Sequence, residues 1–265
     1  TWAPTNAGSY AVTGAVNEAN YAGSAFGTLV ISKASATVAL GGLAQTYDGS
    51  AKSATATTTP EGLAVVFTYD GQTWAPTNAG SYAVTGAVNE INYAGSASDE
   101  LIISRGAQTI DFPAIGDQLA TNTVVLSATA DSGLAVGFAV ASGPASISGG
   151  NNLAFSGAGE VVLVASQAGD GNWNAAPDAT NVFNVGKAAA AVTLGNLTQS
   201  YDGTAKSATA TTEPAGLAVD LTYDGHGWAP TNAGSYAVTG TVNEALYQGS
   251  ATGVLMISQA SESAI

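Results

Sequence analysis

The chain repeats the stretch Trp74-Ala-Pro-Thr-Asn-Ala-Gly-Ser-Tyr82-Ala-Val-Thr-Gly86 without change at residues 2–14 and 228–240. The residues before the stretch do differ, since Gln72-Thr73 in one copy becomes His226-Gly227 in another. Self-similarity at a fixed spacing is the mark of a chain built from stacked modules. Arrays of this kind serve length, spacing or display more often than a single catalytic pocket. We therefore expect the sequence to specify an architecture rather than an active site.

The repeated stretch has the pattern of one strand of an immunoglobulin-like domain. Its part Asn78-Ala-Gly-Ser-Tyr82-Ala-Val84 follows the form Asx-x-Gly-x-Tyr-x-apolar. In that form the tyrosine packs at a corner and its hydroxyl bonds back to the backbone, two residues before the position where antibody domains place a cysteine. The sequence therefore predicts an all-β protein, made of tandem immunoglobulin-like antiparallel β-sandwich modules with about seven strands each.

Alternation predicts the strand faces, because successive side chains in a strand point to opposite faces of the sheet. The position between two apolar residues changes from Val66 to Asp220 in the matching copy, and a charge is tolerated only where that face meets solvent. Ile102 is a second predicted outer position. The predicted inner residues are Leu63, Val65, Phe67, Tyr69, Leu101 and Ile103, with Leu134, Val136, Phe138 and Val140 in the region between the repeats.

Alignment of the copies divides the chain into five segments. We name residues 1–33 the half-repeat, because they match only the second half of a repeat, and residues 34–105 the first full repeat. Residues 106–187, the middle module, have a different sequence, and residues 188–259 form the second full repeat. The tail at 260–265 matches the beginning of a further module. No flexible Gly/Ser spacer separates the segments, so we expect a stiff, elongated array.

The half-repeat is expected to be incomplete. It supplies two strands, whose predicted inner face carries Tyr10, Val12, Leu29 and Ile31. In the full repeats, strands from the first half of the module are expected to cover this face. An uncovered two-stranded sheet is marginally stable in water. We therefore expect the half-repeat to be completed by another module or by a neighbouring chain, and otherwise to be sensitive to protease.

Composition excludes several classes of partner. Only 9 % of the residues are charged, and 19 acidic residues against five basic ones give a net charge of −14. No two basic residues adjoin, so the sequence has no basic patch of the kind that grips nucleic-acid phosphates or an anionic membrane. The absence of cysteine removes disulfides and thiolate metal sites. We expect no nucleic-acid partner, no membrane insertion and no cofactor.

Two sets of motifs resemble known bacterial repeats. The motifs Tyr47-Asp48-Gly49 and Tyr201-Asp202-Gly203, with the stretch from Pro76 to Tyr82, resemble the YDG-type (MBG) repeats of very large bacterial surface proteins. The middle module, with Gln108-Thr-Ile-Asp-Phe-Pro113 and Ser142-Gly-Pro144, is similar to the bacterial immunoglobulin-like repeats that accompany them. The resemblance implies secreted, adhesin-like stalks at the cell surface. It implies no catalytic residues.

The tryptophan loops are one candidate ligand site. Trp2, Trp74 and Trp228 recur at the same position of each copy, and arrayed aromatic platforms could stack on sugars with avidity. The alternative is that each tryptophan closes the end of a sandwich core. His226, the only histidine, lies in the same loop. No nucleophile elbow accompanies it, so we expect a solvated residue there.

Three further patterns have both a structural and a chemical interpretation. The Asp-Gly of the YDG motif predicts a turn with glycine at positive φ. Asp99-Glu100 and the loop Asp170–Asn174 are candidate calcium ligands, although the first pair is absent from the sister copies. Lys52 and Lys206 recur together with pairs such as Asn89-Glu90, which suggests either a Lys–Asn cross-link or a solvated lysine beside an aspartate. We assign no catalytic, ligand-binding or metal-binding residue.

We therefore expect a non-enzymatic stalk or fibre segment of a bacterial extracellular adhesin or surface filament. Its expected partners are neighbouring modules or chains of the same array, outside the cell. The alternative is a carbohydrate-binding surface module that uses the repeated tryptophan loops.

Overall fold

The computed structural model describes residues 2–260 and has the predicted fold class. Every regular element in this range is a β-strand, and the range contains no helix. The strands form tandem immunoglobulin-like β-sandwich modules. The chain divides into two compact units, one that extends to Gln108 and includes Ala168–Ala175, and one that comprises Thr109–Gln167 and the chain from Ala176 onward.

The half-repeat is a single hairpin of β1 (Gly8–Ala15) and β2 (Ser24–Ile31). The two strands are antiparallel, and Tyr10 lies opposite Leu29. Leu29 is 44 % exposed, and Val12 is 47 % exposed. Their predicted inner face is thus largely open within the described residues.

The first full repeat is a β-sandwich. It contains eight strands: β3 (Ala34–Ser35), β4 (Thr37–Gly41), β5 (Ala44–Thr46), β6 (Thr55–Thr59), β7 (Val65–Tyr69), β8 (Gly80–Val88), β9 (Tyr93–Ala94) and β10 (Ser96–Ser104). One sheet has the order β5-β10-β8-β7, and β4 pairs with β6 to form the opposing layer. The short strands β3 and β9 pair with each other in parallel.

The middle module packs a four-stranded sheet with the order β12-β19-β18-β15 and a three-stranded sheet with the order β13-β17-β16 around its own core. Its strands are β11 (Ile110–Asp111), β12 (Gln118–Leu119), β13 (Thr123–Val125), β14 (Thr129–Ala130), β15 (Gly137–Ser142), β16 (Ala145–Ser148), β17 (Asn152–Phe155), β18 (Gly159–Ser166) and β19 (Ala179–Gly186).

The second full repeat has the strand order of the first, with β22-β27-β25-β24 in one sheet, β21 paired with β23, and β20 paired with β26. Its strands are β20 (Ala188–Ala189), β21 (Ala191–Gly195), β22 (Thr198–Ser200), β23 (Thr209–Glu213), β24 (Val219–Tyr223), β25 (Gly234–Val242), β26 (Tyr247–Gln248) and β27 (Ser250–Ser258).

Burial alternates along the strands as predicted. In β10, Leu101 and Ile103 are 0 % and 2 % exposed, whereas Ile102 between them is 48 % exposed. On β7, Val66 is also exposed, and its counterpart Asp220 on β24 reaches solvent. Because the side chains of a strand alternate between faces, only one face of each sheet joins the core.

Parallel pairing at the sheet edge departs from the purely antiparallel expectation. Strand β5 runs parallel to the last strand of its repeat, with Ala44 beside Ile102, and β22 does the same with Thr198 beside Met256. The cause is topological. Only residues 42–43 separate β4, in one layer, from β5, at the edge of the other layer next to β10, so the chain changes layers without a hairpin that would reverse its direction.

The predicted tyrosine corner forms in all three copies. The Tyr82 hydroxyl donates to the backbone oxygen of Asn78 at 3.0 Å, and the Tyr236 hydroxyl donates to that of Asn232 at 3.0 Å. In the half-repeat, Tyr10 makes the same bond over 2.7 Å. The corner holds the Asn-Ala-Gly-Ser turn against the end of the sheet.

Candidate functional site

Each module begins by pairing with one of its own loops. We call Asn92–Tyr93, Asn172–Trp173 and Leu246–Tyr247 the junction loops. The aromatic residue of each lies in a parallel bridge with the first residues of its module, Ala34, Gly106 and Ala188 respectively. The backbone oxygen before the aromatic accepts from those first residues at 2.8, 2.9 and 2.8 Å. The three junction loops are therefore structurally equivalent.

At the first junction, the side chain of Asn92 binds the Asn-Ala-Gly-Ser turn of the half-repeat. Its Oδ1 accepts a hydrogen bond from the Ala7 backbone N–H at 2.7 Å. Its Nδ2 donates to Oδ1 of Asn6 at 3.0 Å. Lys33 Nζ adds a bond of 2.6 Å to the backbone oxygen of Glu90. One amide thus uses both of its functions on the preceding segment.

At the second junction, Asn172 makes the same two contacts with the first full repeat. Its Oδ1 accepts from the Ala79 N–H at 2.9 Å, and its Nδ2 donates to Oδ1 of Asn78 at 3.2 Å. The Asp170 carboxylate shapes this loop, because its Oδ1 accepts from the backbone N–H groups of Asn172 and Trp173, each at 2.8 Å. This loop, a candidate calcium site in the sequence, instead serves as a docking loop.

Aromatic packing accompanies the second junction. The ring of Trp173 meets the ring of Tyr47 edge to face, with 5.2 Å between centroids and an interplanar angle of 90°. Gly106 permits this approach, since a Cβ atom there would lie 2.6 Å from the Trp173 ring and 2.8 Å from the backbone oxygen of Tyr47.

At the third junction the residue type changes. Leu246, the counterpart of Asn92 and Asn172, packs against the apolar core of the middle module. Lys187 Nζ donates to the backbone oxygen of Glu244 at 2.7 Å, as Lys33 does at the first junction. The backbone of this junction loop is placed as in the other two, but its first side chain is the apolar Leu246, which contacts an apolar surface of the middle module.

The YDG motif is a turn, as predicted. Gly49 has a φ of 84°, and Oδ1 of Asp48 accepts from the Ser50 backbone N–H at 2.9 Å. Oδ2 of Asp48 pairs with Lys52 Nζ at 2.6 Å, although the lysine side chain is only 11 % exposed. The lysine hydrogen bond, followed by those from Ser50, holds the pKa of the Asp48 carboxyl well below its ordinary value.

The second full repeat reproduces this arrangement with Lys206 and Asp202, which are 2.5 Å apart. The predicted aspartate beside each lysine is present, but the prediction that the lysine is solvated is wrong, because the side chains of Lys52 and Lys206 are only 11 % and 12 % exposed. The cross-link interpretation fails as well. The Lys52 backbone N–H donates to Pro76, which precedes β8, whereas Asn89 follows the other end of that nine-residue strand, so the structure does not bring Lys52 and Asn89 together.

The tryptophans lie outside the cores. Trp74 is 68 % exposed and Trp228 is 69 % exposed, so neither closes the end of its sandwich. His226 lies in an exposed loop, as expected, and its ring stacks on that of Trp228 at 4.5 Å with an interplanar angle of 20°.

The candidate calcium ligands are not assembled into a site. Asp99 and Glu100 are exposed, and Asp99 accepts from the Glu100 backbone N–H at 2.8 Å. Among residues 2–260, no three His, Cys, Asp or Glu side chains converge closely enough to hold a metal ion. Within the same range, no helix has the length and hydropathy to cross a membrane.

Sequence reasoning missed Asn92 and Asn172 as functional residues. A signal existed, because an asparagine precedes an aromatic residue at 92–93 and again at 172–173, in modules of otherwise different sequence. The partner of each amide belongs to the preceding segment, so no local pattern reveals the contact.

The chain belongs to the MBG domain family. The family matches residues 1–35, 36–107 and 190–261, and the greater part of the middle module lies outside these matches. No curated protein matches the chain.

Several solved structures are similar in fold. Drosophila N-cadherin EC1-4 has 10 % identity and a TM-score of 0.30, with 96 % of this chain and 83 % of that chain covered. Sidekick-1 immunoglobulin domains 1-5 have 15 % identity and a TM-score of 0.32, with 96 % and 66 % covered. The Bacteroides ovatus protein SGBP-B, in complex with a mixed-linkage heptasaccharide, has 15 % identity and a TM-score of 0.22, with 83 % and 67 % covered.

Proposed function

We propose that this chain is a non-enzymatic structural segment of a bacterial extracellular adhesin or surface filament. Its modules act as spacers that hold another part of the assembly away from the cell. The observation that carries the proposal is the repeated junction, in which the Asn92 and Asn172 side chains each bind the preceding segment by the same two hydrogen bonds. Such contacts limit bending between consecutive modules.

The edge pairing of the full repeats also suits a load-bearing role. Strand β5 enters the sheet parallel to the final strand β10, through three consecutive residue pairs. Because the two strands point the same way and lie near opposite ends of the module's sequence, tension along the chain loads their ladder hydrogen bonds together in shear. Hydrogen bonds that must break together resist force better than bonds that open one at a time.

Immunogold labelling tests the proposal on cells that produce the protein. An antibody against this chain should label the outside of intact cells. Deletion of one full repeat should bring a label on the outermost part of the same protein closer to the cell. Labelling only after cell lysis, or an unchanged label distance after the deletion, would contradict a spacer role outside the cell.

A carbohydrate-binding module is a second candidate, favoured by the exposure of Trp74 and Trp228. A glycan array with the whole chain tests it. Binding that is lost in the Trp2→Ala/Trp74→Ala/Trp228→Ala triple variant would support this candidate, and Trp2 is included because it is 81 % exposed in the third copy of the loop. Ile91→Ala is the matched control, since Ile91 is 58 % exposed in a different loop and should be irrelevant to sugar stacking.

A further inference from the structure

The leading residue of each junction loop matches the surface that precedes it. Asn92 and Asn172 each bind the Asn-Ala-Gly-Ser turn of the preceding segment. Leu246 follows the middle module and packs on its apolar core. The backbone of the junction loop has the same pairing in all three cases, so only the first side chain of the loop differs between them.

The turn that receives the asparagine exists in three copies. The Ala7 and Ala79 residues are half-buried in their docked turns, whereas Ala233 in the third copy is exposed. The hydroxyl of Tyr236 holds this third turn as in the other two. Tyr201, the counterpart of Tyr47, is 40 % exposed. No side chain from residues 2–260 binds the Ala233 N–H.

We propose that the leading residue of the junction loop is a specificity residue that fits each module to the type of module before it. On the same grounds, the end of the second full repeat formed by Asn232, Ala233 and Tyr201 is a docking surface. Its partner is a β-module that presents an asparagine followed by an aromatic residue. We call this match between the first residue of the junction loop and the preceding module the docking rule. It goes beyond the spacer role, because it would hold equally for a chain that binds glycans.

The chemistry of the two side chains explains the selection. An amide both donates and accepts, which satisfies the Ala79 N–H and the Asn78 oxygen at once. A leucine at position 172 would leave both groups without these partners. Conversely, an asparagine at position 246 would press a polar amide against an apolar core, where an unpaired polar group is unfavourable.

Amide hydrogen exchange, measured by NMR on the full chain, tests whether the first residue of the junction loop determines docking. Ala7, Ala79 and Ala233 have identical neighbours in sequence, so their intrinsic exchange rates are equal. We expect Ala7 and Ala79 to exchange about two- to tenfold more slowly than Ala233, the range of factors that one hydrogen bond supplies. Asn172→Leu should raise the Ala79 rate to that of Ala233 and leave Ala7 unchanged.

Two variants separate docking from folding. Asn172→Asp keeps the accepting oxygen and should keep Ala79 protected. Asn20→Leu is the matched control, because Asn20 precedes Tyr21 in the same motif and is exposed, so no rate should change. Equal rates for Ala79 and Ala233 in the unaltered chain would overturn the proposal, as would full protection of Ala79 in Asn172→Leu.

A longer chain tests whether the third Asn-Ala-Gly-Ser turn, around Ala233, is a docking surface. Ala260 aligns with Ala34, so a copy of residues 35–105 is appended directly after Ala260. We expect the Ala233 exchange rate to fall about two- to tenfold. The same extension with Asn92→Leu in the appended copy should leave Ala233 fast. Unchanged exchange in both extended chains, or equal slowing in both, would refute the docking rule.

Discussion

One leucine occurs at the same position in all three copies of the repeat, but its burial differs between the copies. Leu101 and Leu255 are 0 % exposed, whereas their counterpart Leu29 is 44 % exposed. Truncation of a buried leucine to alanine removes three carbon groups, worth about 2.4 kcal/mol at about 0.8 kcal/mol each, and leaves a cavity. We therefore expect Leu101→Ala and Leu255→Ala each to lower the free energy of unfolding of their own module by about 3–4 kcal/mol.

Hydrogen exchange by mass spectrometry in a urea series resolves this effect module by module. Leu101→Ala should destabilise peptides of the first full repeat alone, because its neighbours Val84 and Ile103 belong to the same core. Leu29→Ala is the control and should cost at most about 1 kcal/mol, since no closed cavity forms around a half-exposed side chain. Equal costs at Leu101 and Leu29 would refute the reasoning from burial.

Further predictions concern the corner, the YDG turn and a junction. Tyr82→Phe removes one hydroxyl hydrogen bond and should lower the denaturation midpoint of its repeat by the equivalent of about 0.5–1.5 kcal/mol; an unchanged midpoint would contradict the corner assignment. The Asp48 carboxyl should titrate by NMR below the ordinary value of about 3.9, so its contribution to stability is present above that pH and disappears as the pH falls through the lower folded value. Lys52→Met should raise that pKa, and no change would refute the lysine as its main cause. Gly106→Ala should destabilise its junction by about 1–3 kcal/mol through overpacking, measured by tryptophan fluorescence in urea. Gly116→Ala is its control, because a Cβ there meets nothing within 4 Å; equal effects would count against a steric cause.

The fold could be predicted because the copies of the repeat can be compared with one another, and the positions at which they differ mark the exposed faces of the strands. The exchange of Val66 for Asp220 marks an outward face, and both positions are exposed in the structure. The Asn-x-Gly-x-Tyr pattern specifies a corner whose hydrogen bond is local, four residues back along the chain, as Tyr82 shows. Local pairing and two-residue periodicity are features that a single sequence carries directly.

The junctions could not be predicted in the same way. Asn172 reaches a turn that lies 93 residues earlier in the chain, and nothing near it in sequence marks that partner. The loop around Asp170 carries oxygen-bearing side chains of the kind that calcium binds, but its one carboxylate accepts hydrogen bonds from backbone N–H groups of the same loop. The parallel pairing of β5 with β10 was missed for a related reason, since edge order depends on how the chain crosses between layers.

Mechanical unfolding of the single chain, pulled by its two ends, tests the central claim most directly. An array of modules with separate cores, which are those around Leu101, Leu163 and Leu255, should unfold in three separate events. Each event should release roughly 20–25 nm, from about 3.3–3.6 Å per extended residue less the folded length. One event that releases the whole length, or extension without force peaks, would contradict an array of independently folded, load-bearing spacers.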